Sequence, residues 1–506
     1  MCYEIFVRSF FDSDGDGIGD LSGLIQKLDY VNDGNPRSTR SLGARCIWLM
    51  PIAASPSYHG YDVKNYYRVN PEYGTNAEFK RLVAEAHRRG IRVLVDLVLN
   101  HSSSEHPYFK EAMRDPASPH RSWFRFAPSA PNERGPWGQQ VWHKSPVRDE
   151  YYYGIFTAEM PDLNYATKAV RDEAERVGRF WLTEMGVDGF RLDAVPYLVE
   201  EGGALAHTAG THAELRDFAA SVRRTAPGAF TVGEVWDSTG TVLRYYPDQL
   251  DAYFAFELSD ALLDAVRTGT SQRLLAAYDR MQRAMPANRW SPFQRNHDQT
   301  RTVTALGGDL GAARLSAELL LTLPGLPFVY YGEEIGMTGD KPDPRLRTPM
   351  QWTTGRAAGF TTGAAWEPLQ PDSGTANVAV QNADAASLLN LYRRLIHLRA
   401  SNRALGTGDF VPLTSSDPSI AAFLRRDGNR AVLVVANLAT SPRSGITVSS
   451  GDGALGQARY TARDLLSGQI GSPLDVGAGG RFNAYAPRAT LEPRRTYVLE
   501  LTRSAR

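Results

Sequence analysis

Cysteine is nearly absent: the 506 residues contain two, Cys2 and Cys46. Two thiols cannot build a disulfide framework, and they are too few for a structural zinc site. Both sit in apolar, strand-like runs, so buried inert thiols are the expectation. No apolar stretch approaches the ~18 residues of a membrane span. Excess charge of either sign is missing, because 56 Lys and Arg balance 56 Asp and Glu. A neutral chain has no electrostatic reason to bind nucleic acid or an anionic membrane. There is no basic-then-apolar leader, since Tyr3-Glu4-Ile5-Phe6-Val7 already reads as a strand. The expectation is a cytoplasmic protein, or an extracellular or periplasmic one if a leader was removed. No internal repeat of roughly 20–50 residues occurs, and nothing in the pattern sets an oligomeric state.

What is present is an ordinary globular composition, 42% hydrophobic and 22% charged. Along the first 400 or so residues, short apolar runs alternate with amphipathic ones. Thr75-Asn76-Ala77-Glu78 reads as a capping box. Phe79, Leu82, Val83 and Ala86 follow at helical spacing, and Gly90 stops the helix. Ile91–Leu99 is apolar except at Arg92 and Asp96, as a strand buried on both faces should be. Seven comparable strands are expected at 3–8, 45–50, 187–193, 230–234, 252–256, 291–296 and 326–331. Helices are expected between most of them, among others at 170–185, 213–224 and 312–323. Eight strands alternating with helices predict an α/β fold, a (β/α)₈ TIM barrel.

Two intervals break the alternation. Residues 101–166, rich in Pro, Trp and Tyr, are too long for a loop and read as a small domain inserted after strand three. A Gly- and Pro-rich excursion, 332–386, follows strand eight. Both leave from C-terminal strand ends, where barrels keep their active sites. A helix with Leu388, Leu391, Leu395 and Leu398 ends the barrel. Beyond it, Ala421–Arg426 and Arg430–Asn437 flank Asp427-Gly428 as a hairpin. The division is therefore 1–100 and 167–406 as the barrel, 101–166 as the insert, and 407–506 as a C-terminal antiparallel β-sandwich.

Three acids sit where strands four, five and seven should end: Asp193, Glu234 and Asp298. Arg191 and Asp193, two apart on one strand, share a face, and the guanidinium should keep Asp193 ionised. Any one strand-end acid is ordinarily a hydrogen-bond acceptor. Three at one barrel mouth suggest two carboxylates about 5 Å apart performing retaining glycoside hydrolysis. One attacks the anomeric carbon, and the other, its pKa raised by crowding, protonates the leaving oxygen.

The blocks around these acids resemble glycoside hydrolase family 13, the α-amylase family. Asp96-Leu97-Val98-Leu99-Asn100-His101 is similar to its first motif. The segments around Asp193, around Glu234 and at Asn296-His297-Asp298 are similar to the second, third and fourth. Met160-Pro161-Asp162-Leu163-Asn164 resembles the block near the end of the inserted domain. The resemblance implies Asp193 as nucleophile, Glu234 as general acid/base and Asp298 as transition-state stabiliser. It implies that Asp62, His101 and His297 hold hydroxyls of the reacting sugar, with Tyr61 stacked on its face and Arg191 and Trp236 beside it.

Near the N-terminus, Asp12, Asp14, Asp16 and Asp20 fall at positions 1, 3, 5 and 9 of a loop, with the Ile18 carbonyl at position 7. Gly17 takes the sharp-turn position of a calcium loop. Position 12 is Gly23, so this is not a full EF-hand. Four acids in nine residues repel each other unless a cation is present, so one structural Ca²⁺ is expected. Relatives of the oligo-1,6-glucosidase type carry a similar loop with bound calcium.

The substrate is less determined, since many activities share this barrel. Ala194 is small, which in exo-acting relatives goes with α-1,4 bonds. The Met160–Asn164 and Ser55–Asp62 stretches resemble bacterial members intermediate between starch-type and oligosaccharide-type enzymes. The resemblance thus implies an α-amylase acting on internal α-1,4 bonds of starch or malto-oligosaccharides. Gly189–Leu198 also resembles trehalose synthase, and Arg347–Trp352 resembles α-glucosidases, so both activities stay open. A carbohydrate-binding relative that has lost its acids is a further alternative, disfavoured because all three are present.

Overall fold

The computed structural model describes residues 1–286 and 288–504. Eight parallel strands form the barrel: β1 (Cys2–Ile5), β2 (Cys46–Leu49), β3 (Arg92–Leu97), β4 (Gly189–Leu192), β5 (Phe230–Gly233), β6 (Ala252–Phe254), β7 (Trp290–Ser291) and β8 (Phe328–Tyr330). The ladder runs β7-β6-β5-β4-β3-β2-β1-β8. Two backbone bonds, Leu326 N–H to Trp290 O and Phe328 N–H to Pro292 O, both 2.9 Å, draw its ends together. Every expected strand is present, but shorter. The first turns into a 3₁₀ segment at Val7–Ser9, and the seventh pairs only at Trp290–Ser291.

Helices cover the outside. Asn76–Arg88 starts on the expected capping box: Thr75 accepts from Glu78 N–H while Glu78 accepts from Thr75 N–H. The helices foreseen at 170–185, 213–224 and 312–323 lie at Lys168–Thr183, Ala209–Thr225 and Leu310–Thr322. Alternation sorts each strand into two faces. Tyr3, Ile47, Val93 and Phe190 pack outward with the helices. Cys2, Trp48, Leu94, Val232, Phe254 and Phe328 fill the barrel interior. Two residues further along the same inward face, Cys2 gives way to Glu4, Leu94 to Asp96 and Val232 to Glu234. The interior is therefore apolar at its base and charged at its C-terminal mouth.

One expectation is overturned here. Cys2 and Cys46 are not inert thiols but are joined in a disulfide. They are direct register partners on β1 and β2, with Cα atoms 4.3 Å apart. Parallel pairing of strands separated by a helix made the contact; the spacing of 44 residues gave no local sign of it.

Between residues 101 and 166 lie a helix, Pro107–Arg114, and a three-stranded antiparallel sheet, Phe126–Ala127, Tyr151–Tyr153 and Trp142–Lys144. Val141, Trp142, Tyr153 and Ile155 form its own apolar cluster. The C-terminal sheet has six antiparallel strands: β9 (Asp409–Pro412), β10 (Ile420–Asp427), β11 (Arg430–Asn437), β12 (Ala458–Asp464), β13 (Leu474–Val476) and β14 (Arg495–Arg503), in the order β9-β10-β11-β14-β12-β13. One face, with Leu424, Leu433 and Leu499, meets its own core, which also takes Val448 and Leu491 from two short strand pairs. The other face, with Phe423, Val434 and Val498, joins the barrel core.

Candidate active site

The barrel mouth opens into a cleft of about 540 Å³. Asp193, Glu234 and Asp298 line it together, the first two directly after β4 and β5 and the third on the loop that follows β7. Arg191 is the centre of this arrangement. Its side chain is 1% exposed and sits on the inward face of β4. Nη1 donates to Asp193 Oδ1 at 2.6 Å and to both Asp96 oxygens at 2.9 and 3.0 Å. Nη2 donates to Glu234 Oε2 at 2.6 Å. A planar fork has fixed donor directions, so one guanidinium holds three carboxylates in set positions.

The chain after β4 completes the pair. Ala194 takes a left-handed conformation, φ +47°, which is costly for a residue with a Cβ. In this conformation its N–H lies 3.2 Å from Glu234 Oε2. Glu234 thus receives one backbone and one guanidinium hydrogen bond, and its remaining surface faces the cleft.

The charges are unequal in kind. Burial raises the Glu234 carboxyl to about 6; Arg191 pulls it down, and Asp193 pushes it up. Burial is the larger cause, ahead of the crowding anticipated from the sequence. Asp193 is also raised by burial, with Arg191 opposing, so the guanidinium moderates the shift but does not cancel it. Asp298 goes the other way. Burial would raise it, but His297 and Arg347 hold it well below the carboxylate range. Arg347 donates to Asp298 Oδ1 at 2.7 Å and to the His297 carbonyl at 3.0 Å.

The other expected residues divide into lining and support. Tyr61 and His101 line the cleft. His101 Nε2 lies 3.1 Å from the Tyr61 carbonyl, and burial lowers its pKa to about 4, leaving it neutral. Trp236 is 55% exposed at the rim, stacked on Phe256 with centroids 4.7 Å apart. Asp62, Arg191 and His297 are buried behind the lining. Asp62 accepts from Ser55 Oγ at 2.7 Å and from Ser57 Oγ. Tyr61 hydroxyl bridges Asp96, at 3.1 Å, and His297 Nε2, at 2.6 Å.

Sequence reasoning missed several participants. Arg347 was read only as part of a family-like stretch, yet it enters from the 332–386 excursion and touches Asp298. Trp137, Phe156 and Tyr197 form an aromatic wall of the cleft; Trp137 is 62% exposed and stacks on Phe156 at 5.6 Å. Glu4 sits beneath His297 and bonds its Nδ1. A charged residue within an otherwise apolar first strand was the one signal available for it.

The N-terminal acidic loop stands apart from the cleft lining. Oxygens of Asp12, Asp14 and Asp20 lie within 4.8 Å of one another, the one such cluster among the described residues. Asp16, expected as a fourth acid, is not in the cluster; its Oδ1 caps Ile18 N–H at 2.7 Å. A hydrogen bond from Asp16 N–H lowers the Asp14 carboxyl, but burial and the charges of Asp16, Asp12 and Asp20 together raise it. Gly17 has φ +96°, and a Cβ there would meet the Ala364 carbonyl at 1.9 Å. The turn therefore requires glycine, as read.

Residues 4–408 match the family model for the α-amylase catalytic domain. The chain is 37% identical to α-amylase 3 of Dictyoglomus thermophilum over 441 residues, covering 86% of this chain and 84% of that protein. It is 35% identical to the trehalose synthase/amylase TreS of Mycobacterium tuberculosis, covering 87% and 82%. The crystal structure of an α-amylase from H. orenii superposes with a TM-score of 0.86 at 39% identity, covering 99% of both chains. The chain is a glycoside hydrolase family 13 enzyme, a member of the α-amylase family.

Proposed function

We propose that the protein hydrolyses α-1,4-glucosidic bonds in starch and malto-oligosaccharides with retention of anomeric configuration. The observation that carries the retaining mechanism is the placement of Asp193 and Glu234 on the two terminal nitrogens of one buried arginine, at the floor of an open cleft. Retaining hydrolysis needs a nucleophile and an acid on one glycosidic bond, about 5–5.5 Å apart. Asp193 attacks the anomeric carbon as Glu234 gives its proton to the glycosidic oxygen, and the leaving chain departs. Water then attacks the glucosyl ester, Glu234 takes back a proton, and Asp193 is freed. Glu234, raised to about 6, is protonated in enough of the enzyme to act first as acid. Asp298, held ionised by His297 and Arg347, stabilises positive charge on the ring and binds the neighbouring hydroxyls. Tyr61, His101 and Trp236 supply apolar faces and hydroxyl contacts to the sugar, with Asp62, Arg191 and His297 supporting them from behind.

One Ca²⁺ would be held by the converging Asp12, Asp14 and Asp20, with Asp16 and the Ile18 carbonyl as further oxygens that the loop offers. Hard oxygen donors and three converging carboxylates are the chemistry this cation takes. It would secure the loop against the excursion after strand eight, where Thr361 already bonds Asp12.

The amylase relative at 37% identity supports the starch-type reading, and the TreS relative at 35% supports maltose isomerisation as the second. Chromatography of products from starch, maltose and isomaltose separates them. Mixed malto-oligosaccharides from starch are expected; trehalose from maltose, or glucose alone from chain ends, would replace the assignment. The first-formed reducing end should be the α-anomer by NMR.

A further inference from the structure

Glu4 lies outside the sequence blocks that carry the family resemblance, and it neither lines the cleft nor contacts the two central carboxylates. It is 2% exposed, on the inward face of β1, 293 positions from the residue it contacts. Its Oε1 meets His297 Nδ1. On the far side of the ring, His297 Nε2 lies 2.6 Å from the Tyr61 hydroxyl and 3.1 Å from Asp298 Oδ2. The Tyr61 proton has its own acceptor, Asp96 Oδ2 at 3.1 Å, and Asp96 also receives Arg191 through both oxygens. The Tyr61 oxygen is therefore left to accept at Nε2. Acceptors stand at both ring nitrogens, and an imidazole satisfies both only when it carries two protons.

From this we infer that Glu4 is a positioning residue: it holds His297 as a doubly protonated, oriented imidazolium, and through that charge keeps Asp298 an ionised carboxylate on the cleft wall. The inference rests on the glycosidase reading for the role of Asp298, but not for the state of His297. The charges around the ring agree with it. Burial lowers the imidazolium, yet Asp298 and Glu4 raise it to about 9. Glu4 itself is raised by burial and pulled back by His297 and Arg191, with Asp298 opposing. Arg347, which bonds both Asp298 and the His297 carbonyl, holds the same carboxylate from its other side.

Histidine ¹⁵N NMR of the full-length protein, with the His297 signal assigned from His297→Asn, tests this. In the wild type both ring nitrogens should show the imidazolium signature through pH 7. Glu4→Gln, which is nearly isosteric, should lower the apparent pKa of His297 by roughly 1–3 units. It should also reduce kcat about 10- to 100-fold at neutral pH with little change in KM. Glu4→Asp, retaining the charge, should restore the imidazolium in part. A neutral His297 in the wild type at pH 6 overturns the inference whether or not the variants fold. An unchanged His297 titration in Glu4→Gln overturns it as well. Neither result bears on Asp193 and Glu234, whose own variants test the glycosidase reading separately.

Discussion

Asp193 Oδ1 and Glu234 Oε2 each lie 2.6 Å from a different terminal nitrogen of the Arg191 guanidinium. The relationship makes the two carboxylates neighbours by covalent geometry of a third residue, not by the packing of two separate loops. Strands β4 and β5 supply it because Arg191 is the register partner of Val232, two residues before Glu234.

Replacing either carboxylate should abolish turnover without unfolding the barrel. Asp193→Asn is expected to lose at least about 10³-fold in kcat/KM, with an unchanged melting temperature. Unaltered rates on maltoheptaose would remove the assignment of the nucleophile.

The raised Glu234 carboxyl sets the direction of the pH dependence. An acid that must enter the reaction protonated loses competence as pH rises through its pKa, so kcat/KM should fall above about 6. Glu234→Gln should erase that limb. It should also spare glucosyl fluoride hydrolysis far more than starch hydrolysis, since fluoride departs without a proton. A limb that survives the substitution would assign it to another group.

Arg191 should be more sensitive than its burial behind the cleft lining suggests. Arg191→Lys keeps one charge but cannot reach Asp96, Asp193 and Glu234 together. Leaving buried carboxylates unpaired costs about 3–5 kcal/mol. Urea unfolding followed by intrinsic fluorescence should show the loss, and a variant as stable as wild type would contradict the bridging role.

Calcium is expected to stabilise the fold rather than enter the chemistry. At a hundredfold excess over its Kd, a cation bound only by the native state adds about 2.7 kcal/mol. Asp14→Asn should remove most of that gain in a melting experiment. Calorimetric titration of metal-stripped protein with no Ca²⁺ binding would eliminate the site.

The disulfide predicts no reactive thiol in denatured, unreduced protein and two after reduction. Replacing both cysteines by serine should cost about 2–4 kcal/mol by freeing the unfolded chain.

Much of this protein follows from local chemistry. The capping box at Thr75, the stop at Gly90, the apolar strand ahead of Asn100 and the Asp427-Gly428 turn each act within a few residues. Eight such units allow few arrangements other than a parallel barrel. The three acids at strand ends were legible for the same reason, since side-chain alternation and barrel polarity place them at one mouth.

Tertiary structure decided what depends on residues far apart in the chain. Cys2 meets Cys46 only because β1 and β2 pair in register, and Glu4 reaches His297 only because the closed cylinder brings β1 and the end of β7 across one interior. Oxygens of Asp12, Asp14 and Asp20 converge because the turn around Gly15 and Gly17 folds the loop back on itself, which composition does not express. Local propensities carry no information about contacts whose partners are supplied by closing the barrel. Those contacts set which acids are buried, which are paired, and therefore which hold a proton.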